Sequence, residues 1–142
     1  MTEVADATPT GLLSPETYLG TYRLDPARYV GTRPAFGREA LYRFADSLPQ
    51  NDLSYDGHWR LLAQQAVAGT GARLRFHFHA RKVYVVLGGK GSVQVLVDGR
   101  PVKTLDVTEY ELYTAVAGQR TQDAVLELRF SRGVRGYSFT FG

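Results

Sequence analysis

From residue 72 onward, apolar and polar positions alternate in short runs broken by turn residues. Ala72 to Ala80 puts Leu74, Phe76 and Phe78 on one face and Arg73, Arg75, His77 and His79 on the other, the period of a half-buried strand. Lys82 to Leu87 is rich in β-branched residues, with Val83, Val85 and Val86. Ser92 to Val97 alternates again, and Asp98-Gly99 supplies a hairpin turn into Val102 to Val107. Glu111 to Ala117, Ala124 to Ser131 and Tyr137 to Phe141 complete the series. Two weaker strands are predicted at Ala40 to Phe44 and His58 to Ala66. Eight or nine short strands with no long helix predict an all-β fold, an antiparallel β-sandwich of jelly-roll type.

The first half is less regular. Ser14-Pro15-Glu16-Thr17 has the residue types of a helix start, with Ser14 as N-cap and proline at the first helical position, and Gly20 ends it within a turn. Residues 25–39 hold two prolines and two glycines and predict a long loop; Leu48 to Gly57 reads as a second turn-rich stretch. Met1 to Leu13 are small and polar, without the basic start and apolar run of a signal peptide. Residues 1–13 are therefore expected to form a flexible arm or linker, and 14–142 one β-sandwich domain.

Composition narrows the function classes. The 142 residues are 44% hydrophobic and 22% charged, which is globular composition. No run reaches the roughly 20 apolar residues of a membrane helix. There are no cysteines, so this chain alone carries no disulfide, thiol nucleophile or CxxC redox pair. Seventeen basic against fourteen acidic residues give +3 with the signs interspersed, not the concentrated basic patch of a nucleic-acid binder.

Candidate chemistry is sparse. His77-Phe78-His79 places two imidazoles on one strand face, a spacing that can share a metal. With Gly71 before it and five residues between, it also resembles the start of the first cupin motif. The expected glutamate is replaced by Val83 and Tyr84, and the second cupin motif is missing. Arg73, Arg75 and Arg81 disfavour a cation there, so no metal and no cofactor are expected. There is no GxSxG, Glu109 and Glu111 flank a turn, and Gly88-Gly89-Lys90-Gly91-Ser92 lacks Walker spacing and precedes a strand. No catalytic residues are assigned. Nine Tyr, seven Phe and one Trp exceed what such a core requires. Tyr22, Tyr29 and Tyr55 lie in or beside the long loops as candidates for ligand stacking. Trp59 can serve as core or as platform, and His79 and Arg81 can supply polar recognition.

The order of motifs resembles the C-terminal domain of DipZ-type thiol-disulfide interchange proteins. Ser14 to Gly20 (SPETYLG) and, after Gly136, Tyr137 to Gly142 (YSFTFG) carry the resemblance most specifically. Gly57-His58-Trp59, Gly71-Ala72, Phe76 to Leu87, Val97 to Pro101 and Leu112-Tyr113 lie between them. The resemblance implies a carbohydrate-binding-module-like jelly roll on the extracytoplasmic side of a bacterial envelope, serving a thioredoxin-like partner domain. The thioredoxin-like part and its CxxC are not in this sequence, so no redox role carries over. The expectation is a non-catalytic module for a glycan or another envelope component. The alternatives are a docking domain that orients a thioredoxin-like partner and a metal-dependent cupin-like enzyme built on His77 and His79.

Overall fold

The computed structural model describes residues 12–142. Nine strands form in chain order: β1 (Thr17–Tyr18), β2 (Glu39–Tyr42), β3 (Leu53–Leu61), β4 (Ala66–Ala68), β5 (Arg73–Gly88), β6 (Gly91–Val97), β7 (Arg100–Val107), β8 (Glu111–Phe130) and β9 (Arg135–Phe141). All strand pairs are antiparallel. The fold is the β-sandwich that the alternation predicts.

Three long strands serve both layers. The first half of β5 pairs with β3 and the second half of β8; its second half pairs with β9 and the first half of β8. One layer therefore runs β7-β6-β8-β5-β3. The other runs β8-β5-β9, with β9 continuing to β1 and β4, and β4 to β3 and β2. The corner lies at Arg81, between the pairs Ala80–Gln122 and Lys82–Ala117, where Gly118 to Thr121 are looped out of register. An irregularity of this kind bends a strand from one sheet into the next without breaking it.

The alternation of 72–80 falls as predicted: Leu74, Phe76 and Phe78 are buried and Arg73, Arg75, His77 and His79 face outward. They meet Val83, Val85, Val93, Val95, Leu126, Leu128 and Phe139 in one core cluster. Asp98 and Gly99 both adopt left-handed backbone, at φ 49° and 82°, as a two-residue hairpin turn requires.

Four expectations are corrected. Residues 14–16 are extended and lead into β1, with no helix, because the Ser14 hydroxyl is drawn to other partners. It accepts from the His79 amide at 2.8 Å and donates to Asn51 Oδ1 at 2.5 Å. The only helical turn among the described residues is a 3-10 turn at Pro26–Arg28, capped by Asp25. Leu53 to Asp56 belong to β3 and not to a loop, since β5 covers them. The predicted pairs 72–80 with 82–87, and 111–117 with 124–131, are each one continuous strand. The expected arm at 1–13 lies outside the described residues up to residue 11; Leu12 and Leu13 are exposed.

A tyrosine-lined candidate functional site

Two of the sequence-derived stacking candidates are core residues. Tyr55 and Trp59 are fully buried. Their rings lie 4.9 Å apart, and Trp59 meets Phe130 edge-on at the same distance. Both carry a polar tip that needs a buried partner, and both find one: the Tyr55 hydroxyl donates to the Leu19 carbonyl at 2.8 Å. Trp59 Nε1 donates to the carbonyls of Asp56 and Arg73 at 2.9 and 3.2 Å. Burial, and then the neighbouring tyrosines, push the Tyr55 pKa up. Tyr29 is half-buried against the same stack, 6.0 Å from Tyr55, and donates its hydroxyl to the Thr32 carbonyl. Tyr55 and Trp59 therefore offer no ring face to a ligand, and neither they nor Tyr29 line the groove that holds Tyr22.

The other candidates are scattered. Arg81 sits at the corner, with Nη1 3.5 Å from the Gly118 carbonyl. His79 lines a recess with Leu12, Leu13, Pro15, Arg28, Gln50 and Asn51. Its Nδ1 lies 3.9 Å from Asp123 Oδ1 and makes no hydrogen bond among the described residues. Tyr22, by contrast, is 78% exposed and stands in an aromatic groove.

That groove, of about 430 Å³, is lined by Tyr18, Gly20, Tyr22, Arg23, Ala63, Gln64, Tyr110, Tyr137 and Ser138. Each tyrosine arrives by a different route. Tyr18 is on β1. Tyr22 follows a turn whose backbone is tied down by the hydrogen bonds Thr21 N to Leu62 O and Tyr22 N to Ala63 O. Gly20 lies so close to the Ala63–Gln64 backbone that a Cβ would approach within 2.4 Å of it. Only glycine lets the two turns meet. Tyr137 is the extra residue of a bulge, since Val86 pairs with Ser138 and Leu87 with Gly136. A bulge re-aims a side chain that strict alternation would point elsewhere. Tyr110 comes from the turn between β7 and β8, is 65% exposed, and meets Tyr137 edge-on at 4.8 Å. The Arg23 guanidinium lies over the Tyr18 ring at 4.5 Å, and the Tyr18 hydroxyl donates to Glu16 Oε1 at 3.0 Å. The groove thus combines four aromatic rings, one cation and one side-chain amide. Such a surface fits an amphipathic ligand with flat apolar faces and hydroxyl edges.

Of these residues, the sequence reading assigned only Tyr22 to ligand contact. Tyr18, Gly20, Tyr137 and Ser138 lie inside the two most specific motifs, SPETYLG and YSFTFG, but no periodicity separates them from structural residues.

The HxH pair does not assemble a metal centre. Both His77 nitrogens are engaged, Nδ1 with the Leu48 carbonyl at 2.8 Å and Nε2 with Asp123 Oδ2 at 3.1 Å. Among the described residues, no group of three or more His, Asp or Glu is placed to hold a metal ion. Acceptors facing both ring nitrogens favour the doubly protonated ring. Burial lowers the His77 pKa, but the bonds to Leu48 and Asp123 outweigh it, and the net shift is upward. The bond to His77 outweighs the burial of Asp123, and with Gln50 it holds that carboxyl below its ordinary value.

A pH dependence follows. The His77 contribution is complete below the unfolded pKa of about 6.5 and is lost as pH rises through its higher folded value. The Asp123 contribution is complete above the unfolded pKa of about 3.9 and is lost as pH falls through its lower folded value. Urea midpoints should therefore be highest between about pH 4 and 6.5 and decline toward pH 8. His77→Gln should flatten that alkaline decline, and added salt should shrink it, because Asp123 is half exposed. A wild-type midpoint that holds constant from pH 5.5 to 8 would remove His77 as the cause.

Residues 14–142 match the family described as thioredoxin like C-terminal domain. The chain belongs to that family. It is 35% identical over 143 residues to Protein DipZ of Mycobacterium bovis and to Protein DipZ of Mycobacterium tuberculosis, covering 99% of this chain. It spans only about one fifth of the length of those relatives, 20% in each case. Among solved structures it resembles an active-site mutant of a family two carbohydrate esterase from Clostridium thermocellum. The TM-score is 0.57 at 22% identity, over 66% of this chain and 32% of that one. A second structure of that esterase, in complex with cellohexaose, aligns at TM-score 0.48 and 24% identity over 55% and 26% of the two chains. The likeness at TM-score 0.57 concerns the fold alone. No helix among the described residues is long and apolar enough to cross a membrane.

Proposed function

We propose that this domain is a non-catalytic binding module that holds a glycan in the tyrosine groove beside a thioredoxin-like neighbour. Membership of the thioredoxin-like C-terminal domain family supports the association with a redox domain. The DipZ relatives, whose chains are about five times longer, support a place within a larger protein. An extracytoplasmic location is part of the same reading. The observation that carries glycan binding is the groove itself, where exposed Tyr22 and Tyr110 line one cavity of about 430 Å³ together with Tyr18 and Tyr137. Tyr22, 78% exposed and making no aromatic contact among the described residues, has its ring available to a ligand.

The test is titration calorimetry with peptidoglycan fragments and cello- and xylo-oligosaccharides. Binding to at least one is expected. Tyr22→Ala and Tyr110→Ala should each weaken it about tenfold, the order of one stacking contact, and leave the melting temperature nearly unchanged. Absence of heat with every glycan, from folded protein, overturns the reading.

One observation favours the docking alternative. Leu24, Pro26, Tyr29, Pro34 and Phe36 line a separate, mostly apolar groove of about 380 Å³, and Phe36 is 65% exposed. Under that reading the thioredoxin-like domain is retained on a column carrying this chain and lost with Phe36→Ser.

A further inference from the structure

On the outer face of the first layer, Arg73 on β5 stands directly opposite Arg129 on β8, and Arg75 opposite Glu127. Two guanidinium groups facing each other across a sheet repel and lower stability. Glu127, only 5% exposed, holds them together. Arg75 Nε donates to Glu127 Oε1 at 2.8 Å and Arg129 Nε to Oε2 at 2.6 Å. Arg73 turns to Asp56, with Nη2 and Nε 2.8 and 3.3 Å from Oδ2, and its Nη1 lies 3.8 Å from Glu127. Its two guanidinium neighbours hold the Glu127 carboxyl below its ordinary pKa in spite of burial.

Three cations thus share two acids, which leaves one positive charge. Glu127 is engaged through Nε of Arg75 and of Arg129. Among the described residues, the four Nη nitrogens of those two side chains make no hydrogen bond. The Arg75 and Arg129 side chains are 40% and 47% exposed. Phe44 packs under Arg75 at 4.1 Å and under Arg73 at 5.1 Å, while Arg129 is held through its Nε bond to Glu127. Phe44 is itself tethered by its amide to Asp56 Oδ1 at 3.2 Å. Next to Arg129, Gln94 on β6 adds an amide on the same row. Fixed guanidinium forks with free outer edges match the two or three oxygens of a carboxylate or phosphate.

We infer that Arg75 and Arg129, held by Glu127 and Phe44 and flanked by Arg73, form an anion site that takes a carboxylate or phosphate group. The site shares no residue with the tyrosine groove and stands or falls separately from it. Asp56 and Glu127 supply two negative charges to three guanidinium groups, so one cation of the network stays uncompensated on its exposed edge.

The experiment follows the arginine Nε–H resonances of the full chain at low salt during titration with inorganic phosphate and, separately, with glucuronate. Saturable shifts centred on Arg75 and Arg129 are expected. A response to phosphate alone identifies a phosphate source, and a response to glucuronate alone a carboxylate source. Arg129→Gln and Arg75→Gln should each weaken binding at least tenfold. Arg100→Gln, which removes the same charge from β7, should change it less than twofold, and Tyr22→Ala not at all. If Arg129→Gln loses the fold, Arg129→Lys keeps the charge without the fork and should still weaken binding. The inference is overturned by non-saturating shifts with both ligands, or by Arg100→Gln weakening binding as much as Arg129→Gln does.

Discussion

Replacing Trp59 with alanine should lower the stability of this domain by about 3–5 kcal/mol, as large-to-small changes at fully buried aromatic positions do. Three losses combine. The indole fills the space between Tyr55 and Phe130, each 4.9 Å from it by ring centroid, and alanine leaves a cavity there. Its N–H satisfies two carbonyls, those of Asp56 and Arg73, which would be left without that donor. Tyr55, which fastens Leu19 to β3 through its hydroxyl, loses the ring packed against it. In a chain of this length the melting temperature should fall by roughly 10–20 °C. Trp59→Phe keeps most of the ring contacts and should cost less than half as much. Urea denaturation checks both: a changed midpoint with an unchanged slope is expected. A loss under about 1 kcal/mol for Trp59→Ala would show that the site collapses around the gap.

Gly57→Ala should cost about 2–4 kcal/mol, although it adds one methyl group. Gly57 sits within β3 at φ +86°, opposite Tyr42, in left-handed backbone that alanine adopts only with strain. Its Cβ would stand 2.1 Å from the Gly71 carbonyl oxygen and 2.6 Å from the Gly71 carbonyl carbon. The obstacle is backbone, so no side-chain rotation relieves it, and β3 or the turn before β5 must move. Gly71→Ala is the matched control. Its φ of +65° is also left-handed, but nothing lies within 4 Å of its Cβ position, so only the conformational cost of about 1 kcal/mol applies. Thermal melts of the two variants should differ by several degrees. Equal losses would show that the close approach to Gly71 relaxes freely and that backbone strain is the whole effect.

The two variants bear on function differently. Trp59 and Gly57 lie within β3 and line no part of the groove, whereas Tyr22 and Tyr110 are exposed on it. A ligand-binding module predicts stability losses without altered specificity for the first pair, and binding losses without unfolding for the second. The two families of variants therefore separate a folding defect from a binding defect in the same assay.

How far the sequence reached is clearest in particular residues. Alternation placed Leu74, Phe76 and Phe78 inward and the two arginines and two histidines outward, because a strand packed on one face imposes a period of two on its residue types. Asp98-Gly99 announced its turn because few residues tolerate left-handed backbone. Cysteine count removed thiol chemistry outright. The opening and closing motifs pointed to the family to which the chain belongs.

The tertiary structure alone decided the rest. Whether an aromatic ring is platform or core depends on what lies above it. Tyr22 and Tyr55 differ by nothing local that chemistry can read, yet one is open and the other is covered by Leu19, Tyr29, Tyr42 and Trp59. Continuity of β5 and β8 around the corner at Arg81 was hidden because a bulge and a turn use similar residues. Ser14 was drawn from a helix start to His79 and Asn51 by partners far away in the chain. The groove joins Tyr18, Tyr22, Tyr110 and Tyr137, and the arginine site joins Arg73, Arg75 and Arg129, over separations that no local pattern encodes. Sequence periodicity records which side of a strand faces water; only the pairing of strands records which outward residues become neighbours.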